Sequence, residues 1–217
     1  MRIWIIVLLL GCCSFCNPIN KDRMYSTIIE DVKKNDLKAV VTALKKGANA
    51  NTTDDQKRSL LLLATHASAL EMARLLVAHR ADVNQQDELL DSPFLYAGAT
   101  GQTKLLQLFL QHGARFDVFN RYNGSALIPA CERGHVETVR LLAYTKGFPI
   151  DHINRLGWTG LLEAVILGDG TEKYQQIVRI LKEAGCNIHI ADQNGVTPLQ
   201  HARKLGYKEI VKILEQK

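Results

Sequence analysis

The feature that most constrains the fold is a pattern that recurs about every 33 residues along the chain. Residues 194–215 read NGVTPLQHARKLGYKEIVKILE, a Thr-Pro turn followed by two short amphipathic helices that a glycine separates. The same frame recurs at 91–117, 123–144 and 157–189. One such unit can hardly bury its own apolar face, but neighbouring copies can cover one another. The pattern therefore predicts a stack of helical hairpins.

The ends of the predicted helices carry residues suited to those positions. Hydroxyl side chains can accept hydrogen bonds from the unpaired N–H groups of a first helical turn, and second helices commonly end at a glycine in the left-handed conformation. Gly47, Gly113 and Gly185 stand at such ends, whereas Arg80 replaces the glycine in repeat two, at a predicted cost of about 1 kcal/mol. The predicted caps of the first helices are Ser59, Ser92, Ser125, Thr159 and Thr197.

Six units in one frame resemble the ankyrin repeat, and the resemblance covers nearly everything from about residue 24 to residue 217. It implies an all-α fold, an ankyrin-repeat solenoid of about six helix-turn-helix repeats with short β-hairpin connections. Polar residues at both ends suit the termini of a stack. The predicted repeats span about 24–53, 54–86, 87–119, 120–153, 154–191 and 192–217.

The first sixteen residues, MRIWIIVLLLGCCSFC, differ from the rest of the chain. One arginine precedes an apolar run of about 8 residues, which fits the apolar region of a secretory signal and is too short for a membrane-spanning helix, which needs about 20. The stretch LLLGC resembles a bacterial lipobox, which implies lipidation of Cys12. Cleavage after Cys16 and a buried N-terminal segment are the alternatives. We expect 1–16 to be a signal peptide or lipoprotein leader and 17–23 a short N-terminal segment.

Composition and motifs argue against several classes of function. The net charge of +5 comes without a clustered Lys/Arg stripe, which disfavours a nucleic-acid partner. Beyond the leader only Cys131 and Cys186 remain, and we expect buried free thiols. The chain has no His-Glu-x-x-His or Cys-x-x-Cys spacing, and the insertion GDGTE at 168–172 lacks the features of a phosphate or calcium loop. We therefore predict no catalytic residue, no metal, no cofactor and no enzyme activity.

What remains is the surface. The resemblance implies that hairpin tips and the exposed side of the first helices bind proteins. Arg, Tyr and Trp dominate the energetics of protein interfaces, and several fall together on repeats four and five. The alternative is that Tyr122 and Trp158 pack on adjacent tips and only stiffen the stack. The predicted protein-binding residues are Arg58, Arg121, Tyr122, Arg133, Arg155, Leu156, Trp158 and Gln193.

These observations lead to one expectation about function and one alternative. We expect an exported protein, in the periplasm or lipid-anchored to a bacterial membrane, that acts as a monomer. It would bind an unidentified protein partner stoichiometrically, inhibiting an effector or supporting a periplasmic enzyme. The alternative is a cytosolic or membrane-tethered ankyrin scaffold.

Overall fold

The computed structural model describes the backbone of residues 20–216 and the side chains of residues 27–216. This part of the chain folds into twelve helices, and its β-structure is one isolated bridge between Thr53 and Ser59. The helices are α1 (Asn20–Lys33), α2 (Leu37–Lys45), α3 (Leu60–His66), α4 (Leu70–Ala78), α5 (Pro93–Ala99), α6 (Thr103–Leu110), α7 (Leu127–Glu132), α8 (Val136–Ala143), α9 (Gly160–Ile166), α10 (Glu172–Glu183), α11 (Pro198–Lys204) and α12 (Lys208–Glu215).

The helices pack in two layers. Each odd-numbered helix contacts the next odd-numbered helix, and each even-numbered helix contacts the next even-numbered one. The two helices of each repeat also pack against each other, so one apolar core runs from Ile28 to Leu214 through every repeat. Small residues such as Ala97 and Ala130, both fully buried, let the first helices approach closely. The predicted all-α solenoid of six helix pairs is confirmed.

Two of the sequence predictions concern residues at or beyond the start of the described segment. Helix α1 begins at Asn20, so the repeat boundary predicted at residue 24 falls inside this helix. The predicted leader, residues 1–16 with Cys12, lies outside the described residues. Within residues 20–216, no helix combines the length and the apolar character needed to cross a membrane.

The predicted hydroxyl caps are confirmed in four of the five first helices. In each of them the side-chain oxygen accepts a hydrogen bond from the backbone N–H three residues further on. The donor–acceptor distances are 3.1 Å for Ser59, 3.2 Å for Ser92, 3.3 Å for Thr159 and 3.3 Å for Thr197. Gln200 bonds back to the N–H of Thr197 at 2.8 Å and completes a capping box in repeat six.

The prediction that Ser125 caps the first helix of repeat four is wrong. Its Oγ is buried without a hydrogen-bond partner among the described residues, and α7 begins only at Leu127. Pro129 supplies the physical reason. The backbone N–H at this position of other repeats donates to the carbonyl of the capping residue, as Leu63 does to Ser59 at 2.9 Å. Because proline has no N–H, repeat four lacks this bond and its first helix starts late.

Arg80 adopts the left-handed conformation that its place in the repeat requires. Its φ is 65°, beside 90° for Gly47 and 85° for Gly113 at the equivalent helix ends. For a residue with a Cβ, this region of backbone conformation costs about 1–2 kcal/mol. The predicted strain at the end of the second helix of repeat two is therefore present.

The connection that follows α8 in repeat four is part of the core. Phe148 is buried, and its ring meets that of Phe116 edge-on with centroids 5.1 Å apart. The Phe116 ring in turn lies 6.2 Å from that of Phe94 in α5. Three aromatic side chains, two from repeat three and one from repeat four, thus form a continuous contact.

The insertion of repeat five, at 168–172, is tied to repeat six. The hydroxyl of Tyr207 donates to the carbonyl of Gly168 at 2.8 Å. Gly170 has a φ of 72°, and a Cβ there would lie 2.5 Å from the Tyr207 ring. Only glycine fits this close approach. The insertion therefore serves as a packed contact between repeats.

Candidate protein-binding surface

Five hairpin tips share one local geometry. Each begins with an Asp or Asn whose Oδ1 accepts hydrogen bonds from the backbone N–H groups two and four residues further on, at 2.9–3.0 Å. The backbone N–H of the same residue donates to the carbonyl four residues on, at 3.0 Å in every tip. Asp and Asn suit such turns because their short side chains reach the local backbone. These anchor residues are Asp54, Asp87, Asn120, Asn154 and Asp192.

The residue two positions after the anchor points away from the stack in the central repeats. Here stand Leu89, Tyr122 and Leu156, which are 60%, 55% and 54% exposed. We call these three residues the tip row. The same position holds exposed polar residues in the flanking repeats, Gln56 and Asn194. The tip row is therefore an apolar strip that is confined to repeats three to five.

Hydrogen bonds between neighbouring tips hold the tip row in line. The Glu88 N–H donates to the carbonyl of Gln56 at 3.3 Å, and the Arg155 N–H donates to that of Tyr122 at 3.0 Å. His152 approaches the carbonyl of Asn123 with its Nε2 at 2.6 Å. Since the anchors and these bonds fix the backbone on both sides, the exposed side chains are presented without further ordering of the loops.

Two of the predicted arginines have acidic neighbours within the protein. Arg58 pairs with its own tip anchor, with Nε 2.8 Å and Nη2 2.6 Å from the same oxygen, Oδ2 of Asp54. Arg121 lies 3.7 Å from Asp91 and stacks over the ring of Tyr122, with its guanidinium carbon 5.1 Å from the centroid. Arg58 thus closes the tip of repeat two, while Arg121 stays partly free above an exposed aromatic ring.

The other two predicted arginines are held by backbone carbonyls of the preceding repeat. Arg133 donates through Nη1 to Ala99 at 2.7 Å, and Arg155 donates through Nη1 to Arg121 at 2.7 Å. Neither guanidinium has a carboxylate within 4.0 Å among the side chains of residues 27–216. Both are exposed cations in fixed positions.

The remaining predicted residues flank this group. Trp158 is half-buried, and its backbone N–H donates to the anchor Asn154 at 3.0 Å. Gln193 is exposed, and its Nε2 reaches the carbonyl of Arg155 at 3.4 Å. The structure therefore brings the predicted residues of repeats four to six together along the tips, except Arg133, which lies at the C-terminal end of α7. Leu89 belongs to the same strip, but a selection that started from Arg, Tyr and Trp misses it.

A buried carboxyl lies behind the tip of repeat five. Glu163 in α9 is 5% exposed, and its Oε1 accepts a hydrogen bond from Nδ2 of the anchor Asn154 at 2.9 Å. Burial and the nearby charge of Glu132 raise the pKa of Glu163 to about 7, against the opposing effect of the Asn154 hydrogen bond. The carboxyl is thus linked to the loop that carries Arg155, Leu156 and Trp158.

Repeat six pairs two side chains at the corresponding positions. There Nε2 of His201 lies 2.8 Å from Oδ2 of the anchor Asp192. The carboxylate of Asp192 accepts hydrogen bonds from backbone N–H groups, above all that of Val196, and contacts His201. These interactions hold the pKa of Asp192 below its ordinary value. A polar residue of the first helix therefore braces the tip anchor in both C-terminal repeats.

The cysteines of the described segment are buried and free, as predicted. Burial raises the pKa of both thiols, of Cys186 to about 12, so neither is an accessible nucleophile. No three His, Cys, Asp or Glu side chains are grouped to hold a metal ion within the described part of the chain.

Comparisons with known proteins agree with this architecture. The family model for ankyrin repeats matches residues 28–120, 94–192 and 130–217. The ankyrin repeat protein YahD of Escherichia coli (strain K12) is 37% identical over 183 residues, which cover 84% of this chain and 90% of that protein. The solved structure of an ankyrin repeat domain from Acinetobacter baumannii AYE is 47% identical, with a TM-score of 0.84 over 87% of this chain and 95% of that one. The ankyrin repeat protein EF0377 is 39% identical, with a TM-score of 0.85 over 88% and 98% of the two chains.

Proposed function

Since this chain belongs to the ankyrin-repeat family, whose members mediate protein–protein interactions, we propose that it binds one protein partner stoichiometrically through the tip row and the arginines beside it. In this proposal the chain acts as a monomer and carries out no catalysis. Its task is to inhibit an effector or to support a periplasmic enzyme.

The observation that carries the proposal is the exposure of three apolar side chains at one repeat position. A single exposed leucine needs no explanation, but the same position is exposed and apolar in three consecutive repeats, which places the three side chains in a row along the tips. The strip is more than half exposed and adds little to the core. Because its backbone is already ordered, binding costs little conformational entropy.

The predicted result of removing the strip is loss of the partner without loss of the fold. In the variant Leu89→Ser, Tyr122→Ser, Leu156→Ser, co-purification of the partner from the native host should disappear. The free energy of unfolding in urea should stay within about 0.5 kcal/mol per substitution, as is usual at exposed sites. Unfolding followed by circular dichroism, together with capture of the tagged protein, measures both quantities.

Tyr144 offers a matched control. It lies at the end of α8 in the layer of second helices, and its exposure of 55% equals that of Tyr122. Tyr144→Ser should leave co-purification intact. The proposal fails if the triple variant still captures the partner, or if its unfolding shows that the three side chains support the stack.

The proposal extends to export. It is supported by the apolar run from Ile3 to Leu10 and by the lipobox-like LLLGC that precedes Cys13 and includes Cys12. We expect mass spectrometry of the protein from its native host to find either a diacylated Cys12 or an N-terminus at Asn17. An intact Met1 would instead favour the alternative, a cytosolic or membrane-tethered scaffold.

A further inference from the structure

Most charges at the central tips are already paired within the protein. Glu88 lies 3.8 Å from Lys57, and both are exposed. Arg121 likewise lies 3.7 Å from Asp91, and Arg58 is paired with Asp54. An exposed pair such as Glu88 with Lys57 contributes little to stability, but the three pairs leave little net charge for a partner to recognise.

Two cations remain on the same surface after these pairs are counted. Arg133 and Arg155 each donate one N–H to a backbone carbonyl. A guanidinium has five N–H donors in a planar fork that matches a carboxylate. Since each carbonyl contact fixes the side chain and leaves the other donors free, both groups are pre-organised for a carboxylate from outside the chain.

Arg133 lies at the C-terminal end of α7, where its Nη1 donates to the carbonyl at the end of α5. It therefore lies in the layer of first helices, whose N-terminal ends follow the hairpin tips.

Two further acidic residues bear on this surface. The charge of Glu132 acts on the buried Glu163 behind the tips. Asp55, in repeat two, is exposed and has no cation within 4.0 Å among the described side chains. The exposed unpaired arginines of this surface thus lie at repeats four and five, with the partly buried Glu132 beside Arg133, whereas the exposed unpaired carboxylate of the hairpin tips lies at repeat two.

We propose that the partner is an acidic protein segment, which lays apolar side chains on the tip row and directs carboxylates to Arg133 and Arg155. This inference rests on the proposed function and adds the chemistry of the partner. Apolar contact supplies the attraction, while the two guanidiniums select acidic segments and reject basic ones.

Selection from a random peptide library tests the inference with the full chain as bait. The probe is a phage-displayed library of random peptides of about 16 residues, long enough to cross three repeats. Peptides whose capture is lost in the triple serine variant of the tip row should contain an excess of Asp and Glu over Lys and Arg. For a synthetic copy of an enriched peptide, Arg133→Gln and Arg155→Gln should each weaken binding about tenfold or more.

Charge reversal and a matched control keep the test independent of folding. The double variant Arg133→Glu, Arg155→Glu should select basic peptides through the same tip row. Arg74→Gln with Arg179→Gln, two exposed arginines of the second-helix layer, should leave the acidic preference unchanged.

The outcomes separate this inference from the proposed function. Peptides that bind through the tip row but contain no excess of Asp and Glu would overturn the inference and leave the proposed function standing. If no peptide binds through the tip row, both are overturned. Two further results would also overturn the inference. One is sedimentation velocity showing that the tip row pairs two copies of this chain. The other is binding to phosphatidylglycerol vesicles that depends on Arg133 and Arg155, with no peptide enriched.

Discussion

Replacing Glu163 with glutamine is expected to raise the free energy of unfolding by about 2–3 kcal/mol at about pH 8. At a pH near 4.5, the ordinary pKa of the group, the same substitution should change it little. Glutamine keeps the shape of the side chain and an oxygen that can accept the hydrogen bond from Asn154. Urea denaturation of the wild-type protein and the variant across this pH range measures the difference.

The direction follows from the raised pKa of Glu163, which is about 7 in the folded protein. Below pH 4.5 the carboxyl is protonated in both states and contributes nothing. Between 4.5 and about 7 the unfolded chain loses the proton while the folded chain retains it, so unfolding becomes easier as the pH rises. Above about pH 7 the carboxyl is ionised in the folded protein as well, so the destabilisation is complete. In this range the neutral glutamine gives the largest increase in the free energy of unfolding over the wild-type protein.

An exposed glutamate supplies the control for this effect. Glu183→Gln removes the same charge from the surface of α10, where the side chain is in water. Its unfolding profile should follow that of the wild-type protein. A Glu163→Gln variant that is no more stable than wild type at about pH 8 would contradict the burial of an ionised carboxyl behind the tip.

Replacing Phe94 with alanine is expected to lower the free energy of unfolding by about 3–5 kcal/mol. Phe94 is 2% exposed in α5, in the middle of the stack, and its ring contacts that of Phe116. Because each repeat is stabilised by its neighbours, a cavity at this position weakens both adjoining interfaces. Equilibrium unfolding in urea, followed by circular dichroism, gives the value.

A conservative substitution at the same site tests whether the loss comes from the cavity. Phe94→Leu retains most of the buried volume and should cost less than about 1.5 kcal/mol. The stacked architecture predicts that the alanine variant is much the less stable of the two. Equal stability of the two variants would mean that the ring does not support the contact between repeats.

The sequence predicts the stack because residues at the helix ends of each repeat indicate where its helices begin and end. Hydroxyl residues before the first helices and glycines after the second ones are local signals with a local cause, so Ser59 and Gly113 behave as expected. Ser125 fails for a reason that lies four residues further on. Pro129 removes the N–H that the helix needs, and a motif match at the cap position alone overlooks it.

The proposed binding surface can be predicted only in part from the sequence. The tips containing Tyr122 and Leu156 are predicted, but the fixing of Arg133 and Arg155 by carbonyls of the preceding repeat depends on how the repeats stack. The same holds for Glu163. Its counterparts include Leu63 and His201, and only the packing of α7 against α9 shows that this carboxyl is buried.

The most direct test of the central claim is photo-crosslinking from two tyrosine positions of equal exposure. With p-benzoylphenylalanine in place of Tyr122, illumination in the native host should give a covalent adduct with one protein partner. The same group in place of Tyr144 should give none. An adduct from position 144, with none from position 122, would show that the partner binds the layer of second helices and that the tip row is not the binding surface.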